Sequence, residues 1–356
     1  MATWVLHVDL DQFLASVEVL RRPEFAGLPV VVGGRGDPTE RGVVSTASYE
    51  ARAFGVGSGM PLRVAVRRCP EAIFLPVDKP AYDEASAQVM ATLRALRWDG
   101  DPVDVQVLGW DEAFVGLGEG AVERVRDPFA FAEQVRAEVL AATGLHCSVG
   151  IGSTTLQAKI ATDFGKPRGV HRISDDTWFA QMGERPTRAL WGIGAKTEKR
   201  LSELGIGTVA ELAATDDDVL ADAFGPSTGP WLARLARGSG PRRVDPTPWV
   251  PRAHGREETF QEDLDDDAEI EAAVRRIARR VVADIDAEGR PAARVVIKVR
   301  NRSFATVTRS RTLPEPTSDP DALADAAAAL LGRVERDRPV RLLGVRLEMT
   351  PPPGGY

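Results

Sequence analysis

The chain has 356 residues, enough for two or three domains at the usual ~100–200 residues each. Its 45 basic and 52 acidic residues give a formal charge of −7, which excludes a histone-like protein that coats nucleic acid through total charge. A hydrophobic content of 43% excludes wholesale disorder. No apolar run approaches the ~18 residues of a membrane span, and two cysteines cannot form a disulfide framework, so we expect a reduced, cytoplasmic protein.

The hydrophobic pattern of the first 165 residues predicts a mixture of short strands and helices. We expect strands at 4–8, 28–32, 43–46, 103–108, 113–117 and 146–151, and helices at 13–20, 49–54, 62–69, 81–97, 129–142 and 155–164. Ser48 is expected to cap the helix that follows it. This mixture predicts an α+β domain with a central sheet.

The pattern changes in the second half of the chain. Residues 168–236 favour helix and turn, and the glycine- and proline-rich segment 238–247 predicts a linker. Beyond the linker we expect helices at 267–285 and 320–333, and strands at 293–300, 303–311 and 340–349. These elements predict a second, smaller α+β domain.

Three acidic residues have positions that suit metal binding. Asp9 ends the first predicted strand, and Asp111 with Glu112 lies at a turn between two others. Mg²⁺ prefers oxygen ligands, and two such ions ~3.5–4 Å apart can serve phosphoryl transfer. Taken alone, however, an acidic residue at a strand end is more often a solvated turn residue.

Four segments, in order along the chain, strengthen the first interpretation. They are 8–18 (VDLDQFLASVE), 45–56 (STASYEARAFGV), 110–114 (WDEAF) and, within 148–167, SVGI, AKIA and KP. Together they resemble the motifs of the Y-family DNA polymerases, especially the DinB-type lesion-bypass branch. The resemblance covers essentially the whole chain.

The resemblance implies an α+β right-hand polymerase fold. Its parts would be a ferredoxin-like palm (1–10 and 74–166), small fingers (11–73), a helical thumb with a helix-hairpin-helix (167–237), the linker (238–247), an α+β little finger (248–350) and a tail (351–356). The implied activity is template-directed transfer from dNTP to a primer 3′-hydroxyl, with low fidelity and no proofreading. Primer-template DNA and dNTP would be the partners of an expected monomer.

The resemblance also implies roles for residues of the active site. Asp9, Asp111 and Glu112 would be catalytic and would bind two Mg²⁺ ions, with the Leu10 carbonyl as a further ligand and Mn²⁺ as a possible substitute. The nucleotide would be contacted by Phe13, Leu14, Thr46, Tyr49, Arg52 and Lys159. Arginine offers a fork and lysine a compact charge, which suits the dispersed charge of a triphosphate. Asp11 receives no metal-binding role.

Leu14 departs from the family pattern, which usually has Tyr or Phe at this position. That aromatic ring blocks a 2′-hydroxyl, so a leucine sugar gate predicts relaxed discrimination and use of rNTP as well as dNTP. The alternative is that Leu14 is a packing residue and another side chain forms the gate. Gly109-Trp110 and Gly116 are further departures, but neither removes a proposed ligand.

Two regions suit contact with a DNA backbone. The Gly-x-Gly turn with Gly192, Gly194 and Lys196 predicts a helix-hairpin-helix, whose backbone amides can approach a phosphate without reading sequence. A plain helical hairpin is the alternative.

The second region is a predicted strand pair, residues 294–311, which holds six basic residues and no acid. Alternation places Lys298, Arg300 and Arg302 on one face, and we expect Arg309 and Arg311 to repeat that pattern on the next strand. A solvated sheet edge is the alternative there.

Two other function classes remain open from the sequence. One is a catalytically idle, DNA-binding relative that serves as a scaffold, and the other is a nucleotide cyclase with a similar palm. The sequence ends TPPPGGY rather than with a hydrophobic clamp-binding peptide, so docking on a sliding clamp through that segment is not expected.

Overall fold

The computed structural model describes residues 4–118, 121, 126–335 and 338–356. The chain divides into two compact units, of which the first runs to residue 248 and the second from 249 to 356, with residues 39–41 grouped with the second. Within the described residues, no helix combines the length and apolar character needed to cross a membrane.

The first unit begins with alternating strands and helices. In chain order these are β1 (Val5–Leu10), α1 (Phe13–Arg21), β2 (Val30–Val32), β3 (Thr46–Ala47), α2 (Tyr49–Ala53), α3 (Leu62–Arg68), β4 (Ile73–Leu75), α4 (Lys79–Ala95), β5 (Arg97–Trp98), β6 (Asp101–Val107), β7 (Glu112–Leu117), α5 (Pro128–Thr143), β8 (Cys147–Gly152), α6 (Thr155–Gly165) and β9 (Val170–Ile173).

Five short helices complete the first unit. They are α7 (Trp178–Met182), α8 (Ala195–Glu203), α9 (Val209–Ala214), α10 (Asp217–Phe224) and α11 (Thr228–Ala236). Their apolar faces form a second core together with residues of α6 and β9, and Trp178, Leu201 and Leu232 are fully buried in it.

A six-stranded sheet in the order β5-β6-β7-β1-β8-β9 lies at the centre of the first unit. β1 is antiparallel to both of its neighbours, and Leu6 and Val8 are buried in the main core. Helices α1, α4 and α5 contribute Phe13, Tyr82 and Phe131 to the same core. The sheet therefore holds β1 rigidly, and with it the acidic residue at its end.

A separate three-stranded sheet, β3-β2-β4, carries the segment predicted to bind nucleotide. The predicted cap is confirmed, because the Ser48 side chain accepts a hydrogen bond from the Ala51 amide at the start of α2. The predicted strand at 43–46 is displaced: β3 begins at Thr46, and Val43 forms only an isolated bridge with Pro61.

The second unit is a four-stranded antiparallel sheet covered by two helices. Its elements are β10 (Ala253–Leu264), α12 (Asp267–Glu288), β11 (Ala292–Asn301), β12 (Thr306–Thr317), α13 (Pro320–Ala329) and β13 (Val340–Met349), with strand order β10-β13-β11-β12. Apolar residues of α12 pack on one face of the sheet, including Val274, Ile277 and Val281.

Besides the short strands β4 and β5, two further strands, β9 and β10, were not predicted from the sequence. The acidic residues of β10 have low strand propensity, so its pattern gave no signal of a strand, although it pairs with β13 over most of its length. β9 is only four residues long, and its place beside β8 depends on a parallel partner distant in sequence. Both strands are fixed by pairing rather than by local pattern.

The glycine- and proline-rich segment 238–247 packs against the first unit. The Thr155 amide donates to the Pro241 carbonyl (2.8 Å), and the Arg242 guanidinium lies 2.8 Å from the Asp175 carboxylate. Val244 packs with Val5 and Phe114 on the sheet, over Gly116, where a Cβ atom would approach the Val244 side chain to 2.9 Å. The absence of a side chain at position 116 thus makes room for Val244.

Candidate active site

The three acidic residues predicted to bind metal lie where β1 and β7 run side by side. Asp9 and Glu112 are directly opposite each other in the register of the two strands. The Leu10 amide donates to the Asp111 carbonyl at 2.8 Å, which fixes the turn that carries the adjacent acids. Asp9 and Glu112, about a hundred residues apart in sequence, therefore lie side by side at one end of these two central strands.

Lysines of the α6 region supply the positive charge beside two of these carboxylates. Lys166 Nζ lies 2.9 Å from Asp9 Oδ2, and Lys159 Nζ donates a short hydrogen bond to Glu112 Oε2. All four side chains are mostly buried, so water screens these pairs weakly. The structure brings Lys159 to the carboxylates predicted to bind metal, and the predicted contact of Lys159 with triphosphate stays a prediction.

The position of Lys159 depends on how closely α6 approaches β8. A Cβ atom on Gly150 would lie 2.0 Å from the Ala158 carbonyl oxygen, so only glycine allows the helix to lie this close. This explains physically why Gly150 stands in the motif. The close approach places Lys159 over the edge of β1 and β7.

His7 is a site residue that the sequence analysis did not identify. It is 1% exposed, its Nδ1 lies 2.8 Å from Thr162 Oγ1, and its Nε2 lies 3.2 Å from Glu112 Oε2. His7 precedes Asp9 by two residues, so strand alternation puts both on one face. The spacing of two residues between His7 and Asp9 could have identified His7 as a site residue. A pattern of several closely spaced metal-ligating histidines does not, because His7 is isolated from the other histidines in sequence.

Burial and ion pairing shift the pKa values of the carboxylates in opposite directions. Burial raises the pKa of Asp9, and for Asp111 burial and then the neighbouring Glu112 charge raise it. Hydrogen bonds from His7 and Lys159 instead lower the pKa of Glu112 to about 2, against the effect of burial. Burial thus makes ionisation of Asp9 and Asp111 costly, whereas the hydrogen bonds to Glu112 favour its ionised form.

A small cleft opens beside these residues. It has a volume of about 190 Å³, and its walls include Asp9, Lys159, Arg188 and Trp191. The Lys159 ammonium also lies 5.1 Å from the centre of the Trp191 ring. The helical part of the first unit therefore borders the carboxylate site.

Two predicted triphosphate-binding residues, Tyr49 and Arg52, lie together on α2. The Arg52 guanidinium lies 5.1 Å from the centre of the Tyr49 ring, as their spacing of three predicts, and its Nε donates to the Ala47 carbonyl (2.9 Å). The Tyr49 hydroxyl donates to Asp11 Oδ1 at 2.7 Å. Thr46 lies in β3, directly before this helix.

Phe13 and Leu14, the other two predicted nucleotide contacts, are buried at the start of α1. They are 2% and 6% exposed and belong to the main core, where the Phe13 ring packs edge-on against Tyr82. Leu14 therefore has a packing role whatever else it does.

The predicted hairpin motif is a loop that leads into α8. Gly194 is the residue before the helix, and a short 3₁₀ turn, Thr187–Ala189, precedes the loop. Gly192 has φ +107°, and a Cβ atom there would meet the Trp231 ring at 3.0 Å. The first amides of α8, including that of Lys196, have no partner within the helix and so can bind an anion.

The prediction that the basic residues of the second unit repeat one face is wrong. Arg309 is directly opposite Ile297, and Arg311 is directly opposite Val295, and these two apolar residues face the helices. Directly opposed residues share a face. Arg309 and Arg311 therefore lie on the helix-covered face, opposite to Lys298 and Arg300. Spacing along each strand cannot reveal this, because the register between strands decides it.

The open face of this sheet is less uniformly basic than its sequence suggests. Lys298 Nζ reaches across Gly344 to Glu257 Oε1 at 2.7 Å, and Arg300 donates to the Thr306 hydroxyl at 2.9 Å. Arg302 lies in the turn after β11, 3.7 Å from an Asp263 carboxylate oxygen. The open face thus combines bases with acids that pair with them, among them Glu257 on β10 and Glu348 on β13, and with hydroxyls of β12.

Across the described ranges, no group of three or more His, Cys, Asp or Glu side chains is arranged together to hold a metal ion. The carboxylates instead face lysines. As a donor set, however, Asp9, Asp111 and Glu112 consist of the hard oxygen ligands that Mg²⁺ prefers, and the lysine ammonium groups show that the site favours cations.

Comparison with known proteins identifies sequence relatives along most of the chain. Residues 8–163 match the family described as impB/mucB/samB, and residues 251–354 match the C-terminal domain of that family. The chain is 52% identical over 347 residues to a Mycobacterium tuberculosis protein named DNA polymerase IV 2, covering 97% of this chain and 98% of that protein.

Solved structures give the same result for the fold. The Y-family DNA polymerase chimera Dbh-Dpo4(243-245)-Dbh matches with a TM-score of 0.83 at 25% identity, over 97% of this chain and 98% of the other. The insertion ternary complex of Dbh DNA polymerase matches with a TM-score of 0.64 at 25% identity, over the same shares of the two chains.

Proposed function

The chain belongs to the Y family of DNA polymerases, on its DinB-type branch. We therefore propose that Asp9, Asp111 and Glu112, at the adjoining ends of β1 and β7, form the active site for its nucleotidyl transfer. The chain is a DNA-directed DNA polymerase of the lesion-bypass type, with a right-hand α+β fold and a β-rich little finger. The observation that supports this site is the pairing of Asp9 with Glu112 on adjacent strands, each facing a lysine.

Y-family polymerases are metal-dependent, and the residues present fit a pair of Mg²⁺ ions, with Mn²⁺ as a substitute. Asp9, Asp111 and Glu112 would hold the ions together with the Leu10 carbonyl. A bound cation would offset the cost of burying the Asp9 and Asp111 charges, which raises both pKa values in its absence. When bound, such ions activate the primer 3′-hydroxyl and stabilise the departing pyrophosphate.

The protein's own cations and hydroxyls would hold the nucleotide. We assign the triphosphate to Lys159 and Arg52, assisted by the Thr46 hydroxyl and by Tyr49, whose ring lies against the Arg52 guanidinium. Lys159 is within reach of both the carboxylates and the cleft, and Arg52 is exposed on α2. Fixed donors that neutralise the transferring phosphates lower the barrier, because they need no reorganisation during the reaction.

We propose that the sugar of the nucleotide lies against Phe13 and Leu14. A leucine sugar gate would weaken the exclusion of a 2′-hydroxyl, so rNTP would be incorporated more readily than by relatives with an aromatic gate. Rejection by shape alone is modest, which makes the identity of this one side chain matter.

The hairpin loop and the open face of the second unit would hold the DNA backbone. Gly192, Gly194 and Lys196 would present amides and one charge to phosphates, and Lys298, Arg300 and Arg302 would add charges from the sheet. Such contacts carry no sequence information. They suit a distributive polymerase that accepts templates of any sequence. From the family we further propose a monomeric enzyme of the cytoplasm, of low fidelity and without proofreading.

The decisive experiment is templated primer extension with dNTP and rNTP in parallel, with Mg²⁺ and then Mn²⁺. We expect the wild type to extend with dNTP and, to a lesser degree, with rNTP. Asp111→Ala should abolish extension while DNA binding remains. The matched control is Glu138→Gln, which changes an exposed acid of α5. DNA binding by a wild-type protein that extends no primer with either metal would instead support the scaffold function.

A further inference from the structure

Asp11 is a buried carboxylate for which the nucleotidyl transfer described above has no use. It lies two residues after Asp9, beyond the end of β1, and is 2% exposed. A buried carboxylate is costly unless donors surround it. Its presence beside the metal-binding strand therefore requires an explanation.

Three neutral donors from three different elements meet this carboxylate. The Tyr49 hydroxyl and the Ser148 hydroxyl donate to Oδ1, at 2.7 and 2.9 Å, and the Arg168 backbone amide donates to Oδ2 at 2.9 Å. Within the part of the chain that the structure describes, none of the ion pairs involves Asp11. Asp11 is thus a hub of hydrogen bonds that joins α2, β8 and the turn after α6.

The neighbouring Gln12 binds the same finger residue. Gln12 has a left-handed backbone conformation (φ 46°), and its side-chain oxygen accepts a hydrogen bond from the Tyr49 amide. Two consecutive residues after the metal-binding strand therefore hold the backbone and the hydroxyl of Tyr49. They fix the first residue of α2 with respect to Asp9.

Tyr49 in turn positions Arg52. The guanidinium rests over the Tyr49 ring, and its Nε is bound to the Ala47 carbonyl, so its remaining N–H groups have a restricted direction. Because the single hydroxyl proton of Tyr49 is directed at Asp11, it cannot be donated to a phosphate at the same time. In this arrangement Tyr49 anchors α2, and Arg52 supplies the positive charge for the triphosphate.

We propose that Asp11 is a positioning residue for the incoming triphosphate, acting through Tyr49 on Arg52. It sets the separation between Arg52 on α2 and the Asp9 carboxylate of β1. This inference rests on the proposed polymerase function, because the distance matters only if a nucleotide bridges the two groups. It requires no change in the metal ligands themselves.

The test is a double-mutant cycle in single-nucleotide incorporation by the full chain. We expect Asp11→Ala and Tyr49→Phe each to raise KM for dNTP by about tenfold, the effect of one lost hydrogen bond to a charged group, with kcat changed by less than about threefold. The double variant should have the KM of either single variant, because both break the same connection. Direct donation from Tyr49 to a phosphate would instead make the two effects multiply, and that result would overturn the proposal.

Ser148→Ala is the matched control. It removes a second hydroxyl from the same Asp11 oxygen without touching the fingers, and we expect KM to change by less than about twofold. If Ser148→Ala raised KM as much as Asp11→Ala, the carboxylate would act through the sheet and the proposal would be wrong. A fall in kcat alone for Asp11→Ala would also contradict it.

Two measurements separate positioning from damage to the fold. Equilibrium binding of dNTP to the enzyme on a dideoxy-terminated primer-template should weaken as KM rises, whereas DNA affinity and far-ultraviolet circular dichroism should not change.

If Asp11→Ala does not fold, a cycle of Tyr49→Phe with Arg52→Ala replaces it. Tyr49→Phe should have no further effect once Arg52 is lost, and a multiplied effect would overturn the proposal. A wild type that neither binds dNTP nor extends a primer would overturn the proposed function itself, whereas a wild type that does both with additive variants would overturn only this inference.

Discussion

The carboxylate site of the first unit and the basic sheet of the second unit use charge in opposite ways. At the carboxylate site, Asp9 and Glu112 are 17% and 26% exposed, and each is paired with one lysine. On the sheet, Arg302 is 70% exposed, and Lys298 reaches an acid across a glycine. Buried charges interact strongly and specifically, whereas exposed charges are screened by water and salt.

This difference determines how much a single side chain can matter. In the first unit the surrounding sheet fixes each charge, so the loss of one group cannot be compensated by another. On the second unit's open face the charges would contact a DNA backbone collectively, so we expect each to contribute a similar, small and salt-dependent share. The two regions therefore predict different sizes and different salt dependences of mutational effects.

The largest effect is expected at the carboxylates. Glu112→Gln removes a charge that His7 and Lys159 hold in place, and we expect primer extension to fall by roughly 10²–10³-fold. DNA affinity and its salt dependence should stay as in the wild type, which is measurable by fluorescence anisotropy. Glu138→Gln again serves as control, and a loss of less than tenfold would remove Glu112 from the catalytic set.

A smaller effect is expected at the sugar gate, in the same unit. Leu14→Tyr restores an aromatic ring, and the ratio of rNTP to dNTP incorporation should fall by about tenfold to a hundredfold. Leu20→Tyr places the same ring on the exposed side of α1 and should leave the ratio unchanged. An unchanged ratio in Leu14→Tyr would show that Leu14 only packs.

The basic sheet predicts smaller, salt-dependent effects. Lys298→Gln combined with Arg300→Gln should weaken DNA binding by about tenfold at low salt, and should reduce the slope of log Kd against log salt by about 1 per lost phosphate contact. Arg309→Gln with Arg311→Gln, on the helix-covered face, is the matched pair and should cost less. Equal losses for the two pairs would mean that the face of the sheet is irrelevant to binding.

The smallest effect concerns stability and its dependence on pH. The pKa of Asp111 is raised by burial and by Glu112, so ionisation of Asp111 opposes folding above that raised pKa. Without divalent cations, Asp111→Asn should therefore raise Tm at pH 8. The gain should disappear as pH falls through the raised pKa towards the ordinary aspartate value of 3.8. Glu138→Gln, a change of an exposed charge, should leave Tm unaltered at both pH values.

Local sequence signals predicted most helices and strands, and the reasons are visible in particular residues. Ser48 caps α2 because its side chain can reach an amide three residues ahead, which is a local property. The α6 helix begins after Thr154, whose side chain accepts a hydrogen bond from the Gln157 amide, and it follows a strand whose motif glycine allows close packing. By contrast, β10 is acidic and exposed along much of its length, and it is a strand because β13 pairs with it.

Residue types in fixed order were enough to predict the class of fold, the family and the set of candidate carboxylates. Which residues share a site depends instead on strand pairing and helix packing. Pairing of β1 with β7 placed Asp9 opposite Glu112, and the approach of α6 placed Lys159 and Lys166 beside them. Strand register separated Arg309 from Lys298, and the fold made a hub of Asp11. The physical reason is that burial and register depend on partners far away in sequence.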